Sequence, residues 1–228
     1  MQAYNYLSRQ GDFVTGDRRK FTRQTEESRR TALTDAAIAL TSEGGPGVAT
    51  VRAIADRAGV TPGLIRHYFG TKEALMRTAY ADVMDAMTQA SVEVAAAAPD
   101  LPQVRLAAFV ASSLRPPVMN AQAMGLWAGF LHQMRADTEM RDVHEASYLH
   151  YRNLLQGLIA ALPRKADAAQ LRSEAIACNA VIDGLWLEGS ALPDAFAPGE
   201  LEQIGLRSVS AILGFDLGAA MPDIRGLS

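Results

Sequence analysis

The segment between Thr50 and Lys72 constrains the fold of this chain most, because it contains two short helical patterns joined by a tight turn. Apolar residues recur at helical spacing in the first pattern and predict one buried helix face: Val51, Ile54, Ala55 and Ala58. Gly59 follows, and glycine readily adopts the positive φ that commonly ends a helix. Thr61 is predicted to be the N-cap and Pro62 the first residue of a second helix, with apolar contacts from Leu64, Ile65, Tyr68 and Phe69. Two helices joined by a short turn with glycine predict a helix-turn-helix, whose second helix enters the major groove of DNA.

Arg66 and His67 occupy the opposite face of this second helix, and Tyr68 adds a hydroxyl group to its apolar ring. Arg66 suits guanine edges and phosphates, while His67 and Tyr68 can donate hydrogen bonds to phosphate oxygens. Gly63 lies in the first turn, where the absence of a side chain would let the backbone approach DNA closely. An ordinary solvated helix face is the alternative for these residues, and tolerance near a helix start is the alternative for Gly63.

Residues 47–75 resemble the DNA-binding domain of the tetracycline-repressor (TetR) family of bacterial transcription regulators. The resemblance rests on Arg52, on Gly59-Val60, on the triplet His67-Tyr68-Phe69 and on residues 70–75 (Gly-Thr-Lys-Glu-Ala-Leu). It implies DNA contacts at Thr50, Arg52, Thr61, Arg66, His67, Tyr68 and Lys72, and our predicted interface also includes Pro62 and Gly63. Lys72 is predicted to open the next helix, where its ammonium group and the free amides can meet a phosphate. A solvated lysine at a helix start is the alternative.

The charge of the chain is unevenly distributed. The net charge is −3 over 228 residues, yet residues 1–80 carry 12 Lys and Arg against 8 Asp and Glu. Residues 81–228 carry 10 basic against 17 acidic side chains. The basic surface is therefore expected at the helix-turn-helix end, and the acidic remainder should face away from DNA.

Residues 1–24 are predicted to form a flexible basic arm, because they lack helical periodicity and contain Arg18, Arg19, Lys20 and Arg23. Such an arm can fold onto DNA or remain a plain leader. The chain has neither the apolar region of a signal peptide nor a run of 18 apolar residues, so no membrane partner is predicted. Its single cysteine, Cys178, has no internal disulfide partner, which favours the reducing cytoplasm.

The remainder reads as helix throughout, with no alternating β pattern, so the predicted fold class is all-α. Predicted helices span about 25–42, 71–98, 103–114, 118–135, 138–162, 166–190 and 199–213, with a break at residues 44–47. We therefore predict a three-helix DNA-binding domain over 25–75, a helical regulatory and dimerisation domain over 76–214, and a tail over 215–228.

Aromatic residues are prominent in the second half of the chain. Trp127 and Phe130 share one helix face, and Tyr148 and Tyr151 share another. With Trp186 and a carboxylate such as Asp183 or Glu188, they could enclose a cationic or amphipathic small molecule. The candidate contacts are Trp127, Phe130, Tyr148, Tyr151, Asp183 and Trp186. For any single ring, an ordinary place in the core is the alternative.

The region from about 124 to 192 is similar to the regulatory domain of the choline-responsive BetI-like repressors. The similarity rests on residues 124–130 (Met-Gly-Leu-Trp-Ala-Gly-Phe), on the helix with Tyr and Arg that follows, and on residues 182–187 (Ile-Asp-Gly-Leu-Trp-Leu). It implies a small effector, with choline or another small amphipathic metabolite as candidate. The TetR resemblance implies a homodimer through helices 166–190 and 199–213. The apolar and small positions of these helices fit such a close-packed face: Ile176, Ala180, Leu187, Leu201, Ile204, Gly205, Ser208 and Ile212. Part of that set must instead face the chain's own core.

These features together predict a sequence-specific transcriptional regulator that needs no cofactor. The predicted regulator is a repressor that an effector releases from a pseudo-palindromic DNA operator, which a two-fold dimer would match. A regulator that is constitutive or controlled by a protein partner is the alternative. An enzyme is disfavoured, because no His-Glu-x-x-His, paired-cysteine or nucleophile-elbow motif is present and His144 and His150 lie on different helix faces. No catalytic residue and no metal ligand is predicted.

Overall fold

The computed structural model describes residues 15–135 and 137–218, and within them the side chains of residues 25–120, 123–131, 133–135 and 137–218. This part of the chain forms helices and no strands, which confirms the all-α prediction. The helices are α1 (Thr15–Gly44), α2 (Val51–Ala58), α3 (Gly63–Phe69), α4 (Lys72–Ala97), α5 (Pro102–Ser113), α6 (Ala121–Gln133), α7 (Thr138–Ala160), α8 (Ala168–Ala191) and α9 (Glu200–Leu213).

Most predicted helices are confirmed to within a few residues, but the start of α1 is not. This helix begins at Thr15, ten residues before the predicted start at 25, and it includes part of the predicted arm. Residues 17–24 contain neither proline nor glycine, so no residue there ends the helix. The predictions for residues 1–14 of the arm and for residues 219–228 of the tail lie outside the described residues.

The caps of the helix-turn-helix explain where its helices begin and end. The Thr50 hydroxyl accepts a hydrogen bond from the Ala53 amide and caps α2, and Gly59 ends this helix at a φ of 66°. The predicted start of α3 is wrong by one residue. Pro62 already has helical dihedral angles but occupies the cap position without a side-chain hydrogen bond, and α3 begins at Gly63. Thr61 therefore does not act as the predicted cap.

Two hydrophobic cores organise the fold. The N-terminal core is formed by α1, α2, α3 and α4 and also includes residues of α6 and α7. Its buried members include Leu33, Ile54, Ile65, Tyr80 and Phe130. Val51 was predicted to face this core, but it lies at the first turn of α2 and is 40% exposed. The second core surrounds α5, nine of whose residues are buried, and is completed by α4, α7, α8 and α9. The N-terminal core thus connects the helix-turn-helix to α6 of the second half through α1 and α4.

The outer faces of α8 and α9 carry most of the predicted dimer positions. Ile176, Ala180 and Leu187 are exposed on α8, while Ile204, Ser208 and Ile212 are half-buried on α9. The other two positions face inward. Leu201 is buried, and a Cβ atom at Gly205 would overlap the side chain of Leu114, the C-cap residue of α5.

Within the residues that the structure describes, no helix has the length and apolarity needed to cross a membrane.

Candidate DNA-binding surface and effector cavity

The residues predicted to contact DNA lie at the start of α2, along α3 and at the start of α4. Seven of the nine are exposed: Thr50, Arg52, Thr61, Pro62, Gly63, Arg66 and His67. The remaining two, Tyr68 and Lys72, are half-buried. A Cβ atom added at Gly63 would meet no atom within 4 Å, so this turn of α3 has open space in front of it. These side chains and this backbone are therefore accessible to a DNA duplex.

Helix α3 is held in place by α1 as well as by its own buried residue Ile65, which is 2% exposed. Arg30 on α1 donates a hydrogen bond to the Tyr68 carbonyl oxygen at 2.9 Å. The same guanidinium group lies 4.7 Å from the centroid of the Phe69 ring, a cation–π distance. The hydrogen bond links residues 38 positions apart, which no local sequence pattern could indicate.

The charges of Arg66 and Lys72 are not neutralised by neighbours, because no ion pair among the described residues includes either side chain. Arg52 lies 3.8 Å from Asp56, but both side chains are mostly exposed, so this pair is weak and a phosphate can compete for the arginine. Arg57 differs, since it forms a two-pronged pair with Glu43 at 2.6 and 2.9 Å. That pair lowers the pKa of Glu43 through the hydrogen bond from Arg57.

Lys72 is the first residue of α4, as predicted. The Thr71 hydroxyl caps this helix by accepting a hydrogen bond from the Ala74 amide at 3.0 Å. Other amides of the first turn have no partner within the helix. They point outward beside the lysine ammonium group and can bind a phosphate oxygen.

A cavity of about 380 Å³ lies between α4, α6, α7 and α8, and we call it the effector cavity. Five of the six predicted ligand contacts line it: Trp127, Tyr148, Tyr151, Asp183 and Trp186. The sixth does not. Phe130 is fully buried in the N-terminal core with its ring 4.7 Å from that of Tyr80, because its side of α6 faces that core. Glu188, the other carboxylate considered, is exposed and lies outside the cavity lining.

Asp183 is the acidic residue of the cavity lining. One of its carboxylate oxygens, Oδ2, accepts hydrogen bonds from the Tyr148 hydroxyl and, at 2.8 Å, from the Asn179 amide. Burial raises the pKa of Asp183, and these two hydrogen bonds offset part of the rise. The described lining of the cavity contains no lysine or arginine, and no ion pair among the described residues includes Asp183. The carboxylate therefore faces an aromatic cavity without a positive partner.

Tyr80 and His144 also line the cavity, and the sequence analysis did not identify them as ligand contacts. The Tyr80 hydroxyl lies 2.7 Å from Nδ1 of His144 and joins α4 to α7. Burial lowers the pKa of His144 and raises that of Tyr80, so the imidazole is neutral and the phenol keeps its proton. The two residues are 64 positions apart, so only tertiary packing brings them together.

Two of the remaining rings are fixed by hydrogen bonds to neighbouring groups. The Tyr151 hydroxyl lies 2.8 Å from the Ser113 hydroxyl, and the Trp186 indole donates to the Val118 carbonyl oxygen at 2.9 Å. Trp127 contacts Trp186 edge-on, with centroids 6.1 Å apart. These contacts give the cavity rigid aromatic walls.

Two acidic side chains at the start of α7 have a structural partner. Arg77 on α4 binds Asp137 at 3.0 Å and Glu139 at 2.6 Å, which ties α4 to the start of α7. Within the described residues, no three histidine, cysteine, aspartate or glutamate side chains are grouped so that they could hold a metal ion.

The fold and these two sites define a helix-turn-helix transcriptional regulator with a helical domain that encloses a cavity. The model for bacterial regulatory proteins of the tetR family matches residues 33–79, and the model for the C-terminal domain of BetI-type transcriptional repressors matches residues 102–214. The chain belongs to the TetR family of bacterial transcriptional regulators, which are not enzymes. Members of this family bind DNA operators and small-molecule effectors and act as dimers.

Similar proteins support this placement. The HTH-type transcriptional regulator BetI of Burkholderia thailandensis is 32% identical over 164 residues, which cover 72% of this chain and 83% of that protein. A solved structure from Pseudomonas aeruginosa PAO1, described as a transcriptional regulator, has a TM-score of 0.76 at 31% identity and covers 90% of this chain and 98% of its own. A regulator from Saccharomonospora viridis in complex with choline shares the fold, with a TM-score of 0.64 at 19% identity over 80% of this chain and 94% of its own.

Proposed function

We propose that this protein is a cytoplasmic repressor whose dimer leaves a pseudo-palindromic operator when a small organic cation binds in the effector cavity. The observation that carries the proposal is the Asp183 carboxylate, which faces aromatic walls without a positive side chain beside it. A bound cation would supply the missing charge. It would also stabilise the ionised carboxylate that burial now disfavours.

The walls of the cavity suit the same class of ligand. Trp127, Tyr148, Tyr151 and Trp186 present aromatic rings, and a cation over such a face is attracted by about 0.5–2 kcal/mol. A quaternary ammonium group also has an apolar surface that these rings can bury. The choline complex of the Saccharomonospora viridis regulator supports a choline-like or other amphipathic cation here.

Helix α4 connects the cavity to the DNA-binding surface. It begins at Lys72, which we assign to phosphate contact, and its residues Tyr80, Met84 and Met87 line the cavity. Its 26 residues span about 39 Å at 1.5 Å per residue. A ligand that repositions the middle of this helix would therefore move the start of α4 and the adjoining α3.

Helix α6 provides a second connection, because its two sides face different parts of the protein. Trp127 on one side lines the cavity. Gly129 on another side packs against the link between α1 and α2, where an added Cβ atom would lie 3.0 Å from Pro46 Cδ. The missing side chain at Gly129 thus permits close contact between α6 and the DNA-binding domain.

Release of DNA follows if the effector prefers a dimer with differently spaced recognition helices. Operator half-sites one helical turn apart require a separation of about 34–36 Å. A ligand that binds the released arrangement better shifts the population towards it, and a shift from 1:99 to 99:1 needs about 5.5 kcal/mol of differential binding. We assign DNA binding to residues 25–75, and the cavity and the dimer contacts of α8 and α9 to residues 76–214.

Fluorescence anisotropy on DNA from the gene's own promoter region tests the proposal. The wild-type protein should bind this DNA selectively, lose affinity as salt is raised, and dissociate when choline or a related quaternary ammonium ion is added. Asp183→Asn should bind DNA but resist release. The matched control is Glu188→Gln, which changes an exposed carboxylate on the same helix and should respond like the wild type.

Three other outcomes would contradict parts of the proposal. Selective DNA binding that no organic cation alters would favour a constitutive regulator or one controlled by a protein partner. Normal release of the Asp183→Asn variant would remove this carboxylate from effector binding. Absence of selective binding to promoter DNA would contradict the assignment of α3 or the position of the operator.

A further inference from the structure

We propose that the effector carries an unbranched apolar tail, which lies in a second cavity beside the effector cavity. We call this second space the tail cavity. It is a depression of about 280 Å³, partly open to solvent, between α1, α4, α6 and residues 117–120 before α6. The inference rests on the proposed function, because the effector cavity is taken to hold the cationic head.

The effector cavity is larger than a small cation requires. A cavity of about 150 Å³ is enough to bind benzene, which has six heavy atoms. A trimethylammonium group has four, and the effector cavity offers about 380 Å³. A ligand that fills this space must therefore be larger than the cationic head alone.

The two cavities are neighbours with a common wall. Five residues line both of them: Val83, Met87, Val118, Ala123 and Leu126. Met87 is the most adaptable of the five, because its side chain is unbranched and flexible. Rotation of Met87 would join the two spaces between α4 and α6, so a chain attached to the cationic head can pass from one to the other.

The tail cavity has the chemistry of an alkyl site. Ile38, Ala86, Ala90 and Pro117 contribute apolar surface in addition to the common wall. Asn120 is the polar residue of its described lining, and both of its side-chain polar atoms are already engaged. Its Oδ1 accepts from the Ala123 amide at 2.7 Å, and its Nδ2 donates to the Pro117 carbonyl oxygen at 2.7 Å. The lining thus favours methylene groups over polar ligand atoms.

The position of the tail cavity also gives the tail a role in DNA release. Ile38 belongs to α1 and packs against the N-terminal core, to which the helix-turn-helix contributes. A tail in this cavity would touch the DNA-binding domain directly, whereas a short cation would reach it only through α4 and α6. Longer ligands should therefore release DNA at lower occupancy than short ones.

A series of alkyltrimethylammonium ions tests the inference, from tetramethylammonium through butyl and hexyl to decyl, each below its micellar concentration. Binding is measured by titration calorimetry and DNA release by anisotropy. Each methylene that becomes buried should lower the Kd by up to about fourfold, which corresponds to about 0.8 kcal/mol. The gain should stop once the tail fills the second cavity.

The Ala86→Leu variant blocks the tail cavity without touching the effector cavity. Ala86 is an exposed helical residue that lines only the tail cavity of the two, so the larger side chain should be tolerated by the fold. Ala96→Leu is the matched control, because Ala96 is also exposed on α4 and lines neither cavity. Ala86→Leu should bind tetramethylammonium within about twofold of wild type but lose the gain with chain length, whereas Ala96→Leu should keep it.

The outcomes separate failure of this inference from failure of the proposed function. If tetramethylammonium binds and releases DNA but longer tails add no affinity, the tail cavity is not a ligand site and the proposed function stands. If Ala86→Leu keeps the full gain with chain length, the tail lies elsewhere and the inference is overturned. If no ion of the series binds the wild type, the cationic effector is wrong and the inference falls with it.

Discussion

Replacing Asp183 by asparagine should weaken effector binding while leaving the effector-free protein equally stable or more stable. The substitution preserves the shape of the side chain, and an amide oxygen can still accept the hydrogen bonds from Tyr148 and Asn179. The negative charge that faces the effector cavity is removed. If Asp183 serves effector binding, its replacement should leave the stability of the effector-free protein unchanged or higher. If its role is purely structural, the replacement should lower that stability.

The expected loss of affinity follows from the strength of a charge pair at a half-buried site. Two unit charges 4 Å apart attract by about 4 kcal/mol at an effective dielectric constant of about 20. The cation gives up part of its hydration on entering the cavity, so the net contribution is smaller, about 1–3 kcal/mol. The Kd of a quaternary ammonium probe should therefore rise by about 5- to 150-fold.

The substitution should weaken effector binding but should not weaken the fold, because burial raises the pKa of Asp183 in the folded state. A carboxyl group with a raised folded-state pKa stabilises the fold at low pH, and that contribution is lost as the pH rises through this pKa. At neutral pH, ionised Asp183 is thus less favourable than a neutral side chain of the same shape. The asparagine variant should have an equal or higher Tm without effector.

Titration calorimetry and thermal unfolding of three proteins check this prediction: wild type, Asp183→Asn and the exposed control Glu188→Gln. Added probe should raise the Tm of the wild type and of the control, and should raise that of Asp183→Asn much less. Two results would refute the reasoning. One is wild-type affinity of the asparagine variant for the probe, and the other is a lower Tm of that variant without probe.

Further predictions concern the DNA surface, packing and pH. Arg66→Ala should weaken operator binding by about 1–3 kcal/mol and relax discrimination between sequences. Lys72→Ala should weaken binding to all duplexes and reduce the slope of log affinity against log salt concentration by about 1 per half-site. An unchanged slope in anisotropy titrations would exclude a phosphate contact of Lys72. Gly205→Ala should lower the free energy of unfolding by about 1–3 kcal/mol through overpacking. Gly157→Ala, with open space at its Cβ position, should raise it by up to about 1 kcal/mol in urea unfolding. If both variants changed the free energy of unfolding in the same direction, this argument would be contradicted. Probe affinity should fall as the pH is lowered through the pKa of Asp183, starting at a higher pH than for an exposed aspartate, and calorimetry of Asp183→Asn should show no such dependence.

Contacts between distant segments explain what the sequence could not predict about the candidate site. Trp127 and Phe130 are three residues apart and were assigned to the same wall, yet only Trp127 lines the cavity. Helix α6 is packed on both sides, and side chains three residues apart point about 60° away from each other around the helix axis. This difference is enough to place Trp127 in the cavity and Phe130 in the N-terminal core. Tyr80 and His144 meet only because α4 and α7 pack together.

Apart from the start of α1, the approximate positions of the helices were determined by the sequence itself, because periodic apolar residues, Gly59 and the prolines that end helices act over a few residues. The helix-turn-helix and its exposed polar face belong to this class, and the DNA contacts assigned to that face stay predictions. Only the tertiary structure decided which side chains share the effector cavity, which dimer positions of α9 face inward, and how α6 meets the DNA-binding domain. These features depend on how helices far apart in sequence pack, and such packing leaves no local pattern in the chain.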